Sequence, residues 1–244
     1  RSLWLDWMTQ GTRVSGNLFY DNDLEDIFLE VNHGPFLVDN NIFTSRRSIL
    51  EQSQGGAYVH NLIAGDIYRY VEHGRYTPYF LPHSTEVAGL SIIPGGDDRY
   101  INNLFATVLP VTEGENKRKY GLADYNKTVY PMMVEGNVYY NKALPFEGEK
   151  NSVVLPDFNP NVKIEETADG VYLSLSVKGL SDLQTSRVNT ERLGKAKLPG
   201  QAYEQPDGSP IEIAADYLGN ARGDQPKPGP LESVKDGEIR IKVW

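Results

Sequence analysis

Two carboxylates recur at one position of a repeated segment. Asp6 closes Leu3-Trp4-Leu5-Asp6, and Glu30 closes Ile27-Phe28-Leu29-Glu30, 24 residues later. Paired carboxyl groups can divide acid–base work, because like charges held close together cannot both ionise easily. Strand side chains alternate between faces. Burying Leu3, Leu5, Ile27 and Leu29 therefore sends Trp4, Asp6, Phe28 and Glu30 outward together. If the two strands are neighbours, about 4.7–4.9 Å apart, the carboxyl groups lie roughly 5 Å from one another. Retaining glycosidases need about 5–5.5 Å, and inverting ones about 6.5–9.5 Å. In that geometry the shorter Asp6 suits a nucleophile and the longer Glu30 an acid/base. The next equivalent position is Leu50, so the acids form a local pair and not an acidic stripe. Spacing alone equally admits two surface carboxylates in coincident register.

The elements that must position this pair carry a second repeat, in which an Asn precedes an aliphatic residue and a large apolar one. It recurs at Asn17, Asn41, Asn61, Asn103 and Asn137, with spacings of 24, 20, 42 and 34. Self-similarity near twenty residues predicts a parallel β-helix, with the repeated Asn as an inward ladder of amides in a structural role. The spacing of 42 predicts an excursion over 66–94, a polar and aromatic stretch of the kind that carries binding groups. The spacing of 34 predicts an insertion over 112–125. Beyond Asn141 the repeat stops. Strands are expected at Val171–Val177, Ile211–Ile213 and Ile239–Val243, with a weak helix at Ser181–Arg192. The division is 1–145, the β-helix with the acidic pair, and 146–244, a small β-rich region packed on it or capping it.

Composition bounds the function classes. The chain has 244 residues, 39% of them hydrophobic, enough for a substantial core. A net charge of −9 disfavours a nucleic-acid partner. No apolar run reaches the roughly 18 residues of a membrane span. Without Cys there is neither a disulfide framework nor thiolate chemistry. Asp21, Asp23, Glu25 and Asp26 lack the ordered spacing of a calcium loop, and no metal or cofactor is expected. Leu3–Trp7 reads as mid-strand at the chain start, so preceding turns of the same fold are expected elsewhere, on this polypeptide or another.

At these residues the chain resembles glycoside hydrolase family 120, β-xylosidases on a right-handed parallel β-helix. The resemblance runs through Leu3–Val14, Phe28–Asp39, Ser53–Tyr58, Leu81–Gly89, Gly95–Arg99 and Ile241–Trp244, nearly the whole chain. It implies Asp6 as nucleophile and Glu30 as acid/base. The loop 21–26 between them is one residue longer than the family pattern. The family's N-terminal portion and inserted β-sandwich have no counterpart, so the chain resembles the C-terminal part of such an enzyme. The resemblance implies a retaining exo-β-xylosidase of xylan degradation acting on xylo-oligosaccharides, with a cytoplasmic location and a homo-oligomeric assembly.

Trp7 is expected either to stack on a sugar or to pack inward. His33 either hydrogen-bonds a sugar hydroxyl or holds the Gly34-Pro35 turn. His83 and Glu86, on the excursion, are placed to reach over the site. Gln10 and Gln54 occupy matching positions and predict an amide ladder. Asp97 and Asp98 suggest a turn paired with Arg99. Two rivals remain: a polysaccharide lyase, which needs a basic residue beside the acids, and a non-catalytic carbohydrate-binding protein.

Overall fold

A computed structural model describes residues 1–107 and 120–244; most of the predicted insertion at 112–125 falls outside them. Strands dominate. The first sheet is formed by β1 (Leu3–Leu5), β4 (Glu25–Glu30), β7 (Arg47–Gln52) and β10 (Asp66–Arg69). The second contains β2 (Thr12–Ser15), β5 (Phe36–Asp39), β8 (Gly56–Val59), β13 (Arg99–Ile101) and β15 (Met133–Glu135). The third contains β3 (Leu18–Phe19), β6 (Ile42–Phe43), β9 (Leu62–Ile63), β14 (Leu104–Phe105), β16 (Val138–Tyr140) and β17 (Val153–Leu155). Every pairing within these sheets is parallel. Between β10 and β13 an antiparallel hairpin departs, β11 (Glu72–Phe80) with β12 (Val87–Ile93). An antiparallel sheet of β18 (Lys163–Thr167), β19 (Gly170–Val177) and β20 (Gly237–Lys242) follows.

This corrects the expected right-handed parallel β-helix. The strands lie in three separate parallel sheets of four, five and six, and form no closed parallel β-helix. The repeat spacing determines which strands pair, and the observed register Leu3↔Ile27 has its 24-residue offset. Among the described residues no strand of one of these sheets pairs with a strand of another. The expected helix at Ser181–Arg192 is reduced to a 3₁₀ turn at Leu180–Asp182 and α1 (Thr190–Leu193). Asn189 caps only this short helix by accepting the Arg192 N–H, while the Thr185 and Thr190 hydroxyls donate to the distant carbonyls of Pro226 and Tyr203. Ile211–Ile213 makes only an isolated bridge.

Inward residues of the three sheets meet in one core, including Ile27, Leu29, Val38, Tyr58, Phe43 and Phe105. A second core joins the third sheet's other face to β19 through Leu62, Leu104, Leu173 and Leu175. A third joins Ala57, Val59 and Ile101 of the second sheet to Leu193, Ile211 and Ile213. The C-terminal segments thus cover the outer faces of the second and third sheets. The outer face of the first, bearing Trp4 and Glu30, faces the hairpin instead.

The Asn repeat forms a continuous row. Each Oδ1 accepts the backbone N–H and the side-chain N–H of the preceding Asn, from Asn17 to Asn41, Asn61, Asn103 and Asn137, at 2.8–3.1 Å. Glu149 takes the acceptor's place at the end, at 3.1 and 2.8 Å from the two Asn137 nitrogens. Close backbone approach fixes one turn: at Gly34 (φ +72°) a Cβ would lie 2.2 Å from the Gly55 carbonyl oxygen.

Candidate active site

The acidic pair lies where β1 and β4 end. Leu5 pairs with Leu29, so Asp6 and Glu30 are the next residues along two neighbouring strands. Leu5, Ile27 and Leu29 are buried and Trp4 is half exposed, as strand alternation requires. Phe28 also faces outward yet is buried, because Trp4 stacks on it at 5.5 Å and the Arg1 guanidinium lies over both rings.

Glu30 is held from two sides. Its Oε2 accepts the Trp4 indole N–H at 3.0 Å, and its Oε1 accepts Arg75 Nη1 from β11 at 2.5 Å. Glu30 also pairs in register with Gln52, whose amide donates to Glu72 Oε2 at 3.2 Å. Asp6 is exposed, and its Oδ1 accepts the Trp7 N–H at 2.8 Å. Asn32 ties the two strand ends together. Its Nδ2 donates to the carbonyls of Leu5 and Glu30, both at 3.0 Å, and its Oδ1 accepts the Thr9 N–H and hydroxyl at 2.9 Å.

The other candidates separate. Trp7 is 47% exposed: strand alternation stops at Asp6, where the chain turns, so the ring is not drawn inward. His33 is buried with both ring nitrogens engaged. Nε2 faces the Thr77 carbonyl and hydroxyl at 3.0 Å, and Nδ1 faces the Gln54 amide at 3.0 Å. Desolvation lowers its pKa against the pull of the Thr77 carbonyl, which favours the neutral ring. It anchors the hairpin rather than facing solvent. His83 is exposed at the hairpin tip, 3.2 Å from Glu204, and Glu86 is exposed in the same turn. Gln10 and Gln54 do not stack on each other: Gln10 bonds Phe80 and Gln201, and Gln54 bonds His33. Asp97 pairs with Arg99 at 2.9 Å, while Asp98 is buried and accepts the Gly56 N–H at 2.9 Å.

Arg75, Trp4 and Asn32 were missed as site residues. Trp4 was legible from its outward position two residues before Asp6. Arg75 had no local signal, because it reaches Glu30 from 45 residues away. A second acidic pair, Glu51 and Asp98, lies inside the molecule, on the inward side of the first and second sheets. Burial raises Asp98 to about 8 and Glu51 well above the carboxylate range, with like-charge repulsion adding to it. Neither oxygen of Glu51 has a hydrogen-bond partner among the described residues. Among those residues no group of three or more His, Cys, Asp or Glu is placed to hold a metal ion.

Neither a family model nor a curated protein matches this chain. A solved structure described as the complex of XylC with xylose is similar at 40% identity, with a TM-score of 0.91 over 100% of this chain and 41% of that one. The chain therefore spans about two fifths of the length of the structure it matches.

Proposed function

We propose that this chain carries the catalytic acids of a retaining β-glycosidase that releases xylose from xylo-oligosaccharides. The observation supporting this most directly is the Trp4–Glu30–Arg75 arrangement beside Asp6, in a chain 40% identical to a structure holding xylose. Asp6 attacks the anomeric carbon while Glu30 gives its proton to the departing glycosidic oxygen, leaving a glycosyl ester on Asp6. Glu30, now a carboxylate, takes a proton from water; the resulting hydroxide equivalent attacks the same carbon and frees Asp6. Arg75 compensates the charge that Glu30 carries between the two steps, and the Trp4 indole fixes the second oxygen. The similar structure is longer, so further polypeptide is proposed to complete the sugar pocket.

The test is hydrolysis of an aryl β-xyloside, with the first-formed anomer read by NMR. Retention is expected, together with loss of turnover in Asp6→Asn and Glu30→Gln. Wild-type rates in both variants would remove the assignment, and an inverted product would remove the covalent step.

One observation favours a second reading. The cation of Arg75 against Glu30 is the kind of basic group that a polysaccharide lyase needs. A lyase would yield an unsaturated, ultraviolet-absorbing uronate instead of a free pentose.

A further inference from the structure

A cleft of about 730 Å³, lined by neither Asp6 nor Glu30, lies between the tip of the β11–β12 hairpin, the start of β2 and the segment 201–206. Its polar groups are already connected. The Gln10 Oε1 accepts the Phe80 N–H at 3.0 Å, and the Gln10 amide donates to the Phe80 carbonyl at 3.2 Å and to Gln201 Oε1 at 2.7 Å. The Gln201 amide donates in turn to Glu204 Oε1 at 3.4 Å, and His83 Nε2 lies 3.2 Å from that same oxygen. An amide, a second amide, a carboxylate and an imidazole thus stand in one hydrogen-bonded row along the wall. Phe80 adds an apolar ring.

The chemistry of this wall selects its ligand. The guanidinium of Arg13, which also lines the cleft, is consumed by Asp39 through bonds of 2.7 and 2.8 Å. The carboxylate of Glu204 disfavours an anion. Amides and a carboxylate offer both donors and acceptors to neutral hydroxyls, and an aromatic ring suits the C–H face of a pyranose. A neutral carbohydrate fits; a phosphate or a uronate does not.

The cleft is also tethered close to the pair. Four residues separate Asp6 from Gln10, a span of at most about 14 Å. Five separate Arg75 from Phe80, at most about 18 Å along β11. Between those tethers Thr77 is fixed to His33 and to the Val31 carbonyl, so β11 forms a continuous wall from Glu30 to the cleft.

We infer that this cleft is a distal subsite, which binds the sugar residues of a neutral xylo-oligosaccharide remote from the bond cleaved at Asp6 and Glu30. The inference rests on the glycosidase reading given above. It assigns Gln10, Gln201 and Glu204 to hydroxyl recognition, His83 to orienting Glu204, and Phe80 to the sugar face.

The experiment compares kcat/KM for xylotetraose with kcat/KM for an aryl β-xyloside, in the full-length enzyme and in its Gln201→Ala and Glu204→Gln variants. The aryl substrate is too short to reach the cleft. Losing one neutral hydrogen bond corresponds to about tenfold, so the tetraose value should fall about tenfold more than the aryl value. Equal losses on both substrates, or no loss on either, would overturn the subsite. If the parent enzyme cleaves neither substrate, the glycosidase reading has failed. The cleft is then decided by NMR: xylotetraose should shift the side-chain amide signals of Gln10 and Gln201, and unmoved signals would overturn it.

Discussion

Arg75 Nη1 donates to Glu30 Oε1 across 2.5 Å, from a hairpin whose strands pair only with each other. Glu30 is 13% exposed at its side chain and Arg75 46%, so the acid is sheltered on the side from which the cation arrives. The two residues belong to elements that pair with different partners. Their meeting depends on how the hairpin docks, through Thr77 on His33 and Phe80 on Gln10.

Arg75→Ala should therefore lower kcat on an aryl β-xyloside by about 10²-fold, the scale of a misplaced catalytic group. Arg75→Lys keeps the charge but loses the planar fork, and should recover part of the rate. Steady-state kinetics of both variants checks this. Equal rates for Ala and Lys would show that the charge at this position is irrelevant.

Asn32 should behave as a positioning residue. Asn32→Ala strips partners from the Leu5 and Glu30 carbonyls and from the Thr9 N–H. A stability loss of about 2–3 kcal/mol is expected by urea titration. With it should come a fall in kcat larger than any rise in KM, because the reacting groups shift while outer sugar contacts stay.

The interior acids set a pH dependence. Asp98, raised to about 8, binds a proton in the folded state that it releases when unfolded, where carboxylates titrate near 4. Between those values the native state holds more protons than the unfolded one, so stability falls as pH rises. Glu149, raised to about 7, and Glu51, pushed well above the usual carboxylate range by burial, act in the same direction. His33 and His60 are lowered by burial and cost stability only below about pH 6.5. Tm should thus decline between about pH 6.5 and 8.5. The groups facing Asp98 are Glu51, Asp97, Arg99 and Arg69. Asp98→Asn removes its own titration and its repulsion of Glu51, and should flatten the decline. Thermal melts across that range measure it; an unchanged slope would exclude Asp98 as the source.

The Asn row predicts a gradient of mutational cost. Asn61 is fully buried, and Asn61→Ala leaves the Asn41 N–H without its acceptor and removes a donor from the Val38 carbonyl. It should cost about 2–4 kcal/mol by denaturant unfolding. Asn17→Ala, at the exposed end, leaves no such orphan inside the protein and should cost about 1 kcal/mol or less.

What could be read in advance followed the periodicity of the chain. The 24-residue offset pairs Leu5 with Leu29, and the repeated Asn build the row from Asn17 to Asn137. Alternation placed Trp4 outward, then failed at Trp7, because a turn begins there and the period of two no longer applies. Contacts between distant segments left no periodic trace. Glu204 meets His83 more than a hundred residues away, and Arg75 meets Glu30 from a hairpin. Sheet closure was misjudged for the same reason: period predicts neighbours within a sheet, whereas closure depends on how separate sheets meet.

The row of Asn side chains has a polarity. From Asn41 onward each amide oxygen accepts from the Asn on the Asn17 side, and one side-chain N–H donates to the acceptor on the Glu149 side, so the C=O dipoles add along the column as they do in a helix. The electropositive end falls on Glu149, a carboxylate set where an anion is favoured, as at a helix N-terminus. Burial nonetheless holds that carboxylate at about 7, so its ionisation near neutral pH switches the terminal charge of the whole column. A stack built from uncharged side chains thereby acquires a titratable end.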